Sequence, residues 1–218
     1  MQRSSHHLTS ARGSAEGLDR TAAEKLAAWV SDVLSPPYTA VPVLLTVAYV
    51  SSATLLEALK WSLLSLYMTL VPVYLFVRRR VRSGRFSDKH LSLREERTLV
   101  YLLSGCALLL CTVVLALLHA PTPLLAAFTA TLLSSLAAGT INLFWKISVH
   151  AGSISGSATL LILLIGTRAL PTLLLVLLVC WARVVLRKHT VGQVAAGAAL
   201  TPSITVLVFS AFRSAGLL

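Results

Sequence analysis

Arg183 and His189, with five residues between them, lie in WARVVLRKHT, where one apolar run ends and another begins. Arg187 and Lys188 add two more bases to the same junction. Two other basic stretches sit at comparable junctions: KISVH, from Lys146 to His150, and DKHLSLREER, from Asp88 to Arg97. A charged side chain at the bilayer centre costs roughly 2.5–3.5 kcal/mol on insertion scales. Bases gathered at the ends of apolar runs therefore mark a headgroup-level place for something anionic.

The residue types suit phosphoryl transfer. That chemistry needs positive donors around three equatorial oxygens, an in-line nucleophile and a proton donor for the leaving oxygen. Arg97, Arg183 and Lys146 would clamp the anion, with Arg94 and His90 beside Arg97. Ser148 supplies a neutral donor, and His150 and His189 a nucleophile and an acid. Arginine is the better clamp because its planar fork meets two phosphate oxygens at once. No carboxylate cluster suits a divalent metal, so no cofactor is expected and the cationic side chains would do what magnesium does elsewhere. Cys106, Cys111 and Cys180 lie inside apolar runs in no metal-ligand spacing and read as small apolar fillers.

These groups need a membrane scaffold. Of 218 residues, 56% are hydrophobic and 12% charged, and the mean hydropathy is +0.80. Several runs approach the roughly 20 apolar residues that cross about 30 Å of hydrocarbon. The expected fold class is all-α: a polytopic transmembrane helical bundle with an N-terminal amphipathic interfacial helix. Residues 1–37 form a polar tail and that helix, over 19–34, and residues 38–218 form the membrane domain. Seven spans are expected, near 38–56, 59–77, 98–119, 121–145, 151–166, 171–186 and 191–212. The count is six if the tight first hairpin, marked by Glu57 and Lys60, is one re-entrant element. Trp61, Trp145 and Trp181 fall near span ends, as interfacial anchors do. Gly152 and Gly156 form a small-xxx-small pattern that lets helix backbones approach closely.

Parity brings the three basic stretches to one membrane face, because two spans separate each from the next. That face carries sixteen of the 19 Lys and Arg residues, against Lys60, Arg168 and Arg213 on the other. The positive-inside bias then puts it in the cytoplasm. The net charge is +11 and the pI about 10.3. Because the bases flank spans and no RNA-binding motif is present, anionic lipid headgroups or phosphate substrates are the expected partners, not nucleic acid.

In order, spacing and setting, these fragments resemble the type 2 phosphatidic acid phosphatase superfamily of integral-membrane lipid phosphatases. Its three-part pattern is K-x6-R-P, P-S-G-H and S-R-x5-H-x3-D. Arg183 and His189 match the third part, Ser148 and His150 the second, and Arg97 the first. The chain departs at His90 for lysine, Thr98 and Ile147 for prolines, Val149 for glycine, Ala182 for serine and Gln193 for aspartate. The resemblance implies that His189 is the nucleophile, forming a phosphohistidine, and that His150 protonates the leaving alkoxide and then activates water. Arg97, Arg183 and Ser148 would hold the phosphoryl oxygens. Gln193 could orient the imidazole tautomer without the charge of a carboxylate. The implied activity is metal-independent hydrolysis of a lipid phosphate, a phosphatidate or a prenyl phosphate or diphosphate, whose tail stays among the membrane lipids. Two other readings stay open: a catalytically impaired relative that binds lipid phosphate, and a small transporter or scaffold with a basic face.

Overall fold

The computed structural model describes residues 21–84 and 94–218. Among them the chain is all-α, with eight α-helices: α1 (Ala22–Val33), α2 (Pro36–Ser51), α3 (Leu55–Arg82), α4 (Arg94–Leu117), α5 (Thr122–Phe144), α6 (Val149–Ile165), α7 (Thr172–Val185) and α8 (Val191–Ser214). A 3-10 turn, Gly166–Ala169, joins α6 to α7. His90 lies outside the described residues, as do the side chains of Arg94 and Arg97 at the start of α4.

Five helices are long and apolar enough to cross a membrane: α3, α4 from Thr98, α5, α6 carried on through the 3-10 turn, and α8. The pair α1 and α2, bent by 47°, makes a sixth if it is a single span. The seven spans expected from the sequence are not reached, for two local reasons. Helix α7 has 14 residues and so is about 21 Å long, short of the hydrocarbon thickness. Helix α2 stops at Ser51, because Ser52 and Thr54 are extended and Thr54 caps α3, accepting a hydrogen bond from the Glu57 N–H at 3.2 Å. The first hairpin therefore turns at residues 52–54. Glu57 lies in the first turn of α3, where its Oε2 accepts from the Ala53 N–H at 3.2 Å, and Lys60 is one turn further on.

The outward faces are what a lipid solvent demands. Leu63, Leu102, Leu110, Leu177 and Leu207 each expose more than half of their surface on helices. A water-soluble bundle would bury such residues. Several threonines inside the helices are satisfied locally: Thr112, Thr129, Thr131 and Thr205 each donate to the carbonyl four residues back. Helix α3 is 28 residues, about 42 Å, so it overruns the hydrocarbon and carries Arg79, Arg80 and Arg82 out in its last turn. Trp61 is not an interfacial anchor. It is 5% exposed, packed with Val47, Leu115 and Leu124 and covered by the Lys60 ammonium 4.0 Å from its ring centroid.

Helices α6 and α8 form the closest helix pair around the site. A Cβ added to Gly152 would lie 2.9 Å from Thr201 Oγ1, and one added to Gly156 would collide with Thr201 Cγ2. This is the close approach expected of the small-xxx-small pattern. Helix α1 is amphipathic, as expected, but it also has a protein partner. Ala27 and Val30 are buried against Val179 and Ala182 of α7 and Ile154 of α6, while Leu26, Trp29 and Val33 face outward.

Candidate phosphate site

The site is assembled where α6 and α8 begin and α7 ends. Ser148 is the N-cap of α6, its Oγ accepting from the Ala151 N–H at 3.4 Å. Its own N–H donates to the Gln193 carbonyl of α8 at 3.2 Å. Gly197, one turn further along α8, makes this possible, because a Cβ there would collide with the Ser148 carbonyl. The two helix starts are thus locked side by side. Short as it is, α7 returns the chain to the face from which α6 set out, and the expected convergence of the second and third basic stretches is observed.

The R-x5-H spacing has a local cause. Arg183 lies in the last turn of α7, and its carbonyl accepts from the N–H groups of both Lys188 and His189, at 3.2 and 3.3 Å. Arg187 takes a positive φ of 52° to close this loop. Thr190 follows as the N-cap of α8, with Gln193 at its third position completing a reciprocal capping box. Lys146 ties the two loops together, its Nζ donating to the Lys188 carbonyl at 2.8 Å.

The capping box also fixes the chemistry of His189. Gln193 Oε1 accepts from the Thr190 N–H at 3.3 Å and lies 3.2 Å from His189 Nδ1. An N–H can only donate, so the atom facing Thr190 is the amide oxygen. Nδ1 must then carry the hydrogen it shares with that oxygen. In the neutral ring Nε2 is then the nitrogen that carries the lone pair.

His150 lies in the first turn of α6, half-buried, within electrostatic reach of Arg183 and His189. Arg183 is half-buried too. Its Nη1 donates to Ser31 Oγ of α1 at 2.8 Å, and Asp32 acts on it electrostatically. Its Nε is buried and meets no hydrogen-bond acceptor among the described residues. A desolvated donor in that state costs about 1–3 kcal/mol until something accepts from it. No group of three or more His, Cys, Asp or Glu that could hold a metal occurs among the described residues.

The structure therefore gathers His150, Arg183, His189, Gln193, Ser148 and Lys146 at one end of the bundle. Arg97, Arg94 and His90 lie outside what it describes. Two participants were missed by the sequence reading. Thr190 was detectable, since T-x-x-Q ahead of an apolar run is a capping-box signature. Ser31 carried no such signal.

Beside this cluster, a cavity of about 810 Å³ runs into the bundle. Ser148 and the α6 residues Gly152 and Gly156 line it, together with Tyr101 and Leu109 of α4 and Phe128 of α5. Among the described candidate residues only Ser148 touches it. No family model matches this chain, and no curated protein or solved structure is significantly similar to it.

Proposed function

We propose that this chain is a membrane-embedded lipid phosphatase of the type 2 phosphatidic acid phosphatase kind, which hydrolyses a lipid phosphate or diphosphate without a metal. The observation that carries this reading is the state of His189. Gln193 Oε1 lies against its Nδ1, and a second imidazole, His150, is within electrostatic reach of both His189 and Arg183. A neutral imidazole with its lone pair at Nε2 is a competent nucleophile toward phosphorus.

In the first step the Nε2 lone pair forms a bond to phosphorus while the bond to the leaving oxygen breaks. The negative charge of the bound phosphoryl group favours the protonated form of His150 beside it, and that proton goes to the leaving oxygen. In the second step neutral His150 takes a proton from water, the water oxygen bonds to phosphorus, and the P–N bond breaks. His189 recovers its lone pair, and inorganic phosphate leaves. Arg183 neutralises the equatorial oxygens throughout, and Arg97 is assigned the same task by its match to the family pattern. The cavity beside Ser148 supports an amphiphilic substrate. Its volume falls within the roughly 300–1,000 Å³ usual for ligand pockets, and its wall is mostly apolar. The excess of Lys and Arg on this side of the spans supports a cytoplasmic site.

Trapping the intermediate tests the reading. Brief exposure to a prenyl diphosphate labelled on its terminal phosphate, with a chelator present and a quench in base, should leave label on the protein. That label should survive base and be lost in mild acid, as a phosphohistidine is, and His189→Ala should take up none. Equal labelling of His189→Ala, or an acid-stable linkage, overturns the nucleophile assignment.

A further inference from the structure

We propose that Ser31 of the amino-terminal helix is a positioning residue for Arg183, which makes α1 part of the phosphate site. The inference rests on the reading of Arg183 as a phosphoryl clamp. The contact joins residues 152 positions apart, Arg183 Nη1 donating to Ser31 Oγ at 2.8 Å. Both ends are held. Ser31 is 3% exposed, on a helix whose Ala27 is fully buried in one cluster with the equally buried Ala182, next to Arg183 in the chain. The short side chains let the two helices approach closely, with Val30 packed in the same cluster as Val179 and Ile154. A complete capping box, Thr21 with Glu24, fixes the far end of α1.

Which nitrogen Ser31 takes decides what Arg183 has left to offer. Nη1 lies on the Cδ side of the guanidinium. Engaging it leaves the opposite edge, where Nε–H and Nη2–H point the same way and match two oxygens of one phosphoryl group. Nε is the donor that meets no acceptor among the described residues. Ser31 accordingly holds the plane of the guanidinium by its non-binding edge and keeps the two-pronged edge turned toward the anion. Without that hydroxyl the side chain keeps its charge and loses its aim, so anion binding weakens while the chemistry of His189 is untouched.

The test compares Ser31→Ala, Ser31→Thr and Arg183→Ala with the wild-type chain, reading phosphate release from a prenyl diphosphate and its inhibition by orthovanadate. Ser31→Ala should raise KM and the vanadate inhibition constant about tenfold, with kcat within about twofold of wild type. Ser31→Thr, which keeps a hydroxyl, should recover most of the loss, and both variants should stay folded and melt cooperatively above the assay temperature. If Arg183→Ala impairs release while Ser31→Ala has wild-type constants, the positioning role is overturned and the clamp stands. A Ser31→Ala variant that loses kcat alone, or that Ser31→Thr does not rescue, also overturns it. If Arg183→Ala releases phosphate as wild type does, the clamp reading itself fails and takes this inference with it.

Discussion

In the proposed mechanism Gln193 is the residue on which the chemistry turns. In the pattern the chain resembles, that position is an aspartate, which orients the imidazole and also stabilises it when it becomes cationic. Glutamine keeps the first ability. Its oxygen is pinned by the Thr190 N–H, and the Nδ1 hydrogen of His189 is fixed in turn. Gln193→Leu should therefore lower kcat by about 10²–10⁴-fold, the scale seen when tautomer control is lost in serine-protease triads. Gln193→Glu keeps the reach and adds a charge that favours the imidazolium and the helix N-terminus, so it should match or exceed the wild-type rate. Steady-state kinetics of the two variants decide the point, and a Gln193→Leu variant with the wild-type rate refutes it. Arg183 and His189 were legible in the sequence because a single tight loop links them, and their spacing is the span of that loop. Ser31 was not legible. Its contact with Arg183 exists only because α1 folds back onto α7, and neither residue's neighbours in the chain announce it.

Among the elements, the α6–α8 pair does most to hold the site in register. The Ser148 carbonyl sits where a Cβ on Gly197 would be, and the Ser148 N–H is bonded to the Gln193 carbonyl. Gly197→Ala must push the two helix starts apart, at about 1–3 kcal/mol of overpacking, and should lower both the melting temperature and the rate. Gly139→Ala is the matched control: its added Cβ meets nothing within 4 Å, and alanine is the better helix former. A Gly197→Ala variant as stable as Gly139→Ala and as active as the wild-type chain would contradict the register argument. The small residues on α6 announced this close approach in the sequence, whereas their partners on α8 did not. The glycine that the resembled pattern places before the histidine of its second part is Val149 here, and a close backbone approach is made at Gly197. The first break, at residues 52–54, lies a few residues before the turn expected at Glu57 and Lys60 because Thr54 caps α3, whereas the break between α7 and α8 lies where the sequence placed it. Apolar runs alone do not show where a helix is capped, so hydropathy overcounted the spans.

At the scale of the whole molecule, α6 and α8 pack directly on each other, parallel and starting together, with α7 as the return segment that joins them in the chain, and this defines one site face. With Cys106, Cys111 and Cys180 replaced, Lys188→Cys and Arg168→Cys report on opposite ends of α7. A membrane-impermeant maleimide should label Lys188→Cys only from the side that corresponds to the cytoplasm, and Arg168→Cys only from the other. Labelling of both from one side would show that α6 and α7 form a re-entrant hairpin. Parity made the shared starting end of α6 and α8 legible in the sequence, because the chain runs out along α6 and back along α7, and the side of the membrane that this end faces is what the labelling tests. The central claim is hydrolysis at His189, and its most direct measurement is phosphate release from phosphatidate and from a prenyl diphosphate in mixed micelles containing EDTA. The account predicts release by the wild-type chain and a loss of at least about 10³-fold in His189→Ala. Equal release by the two, or no release by the wild-type chain from either substrate, would contradict it.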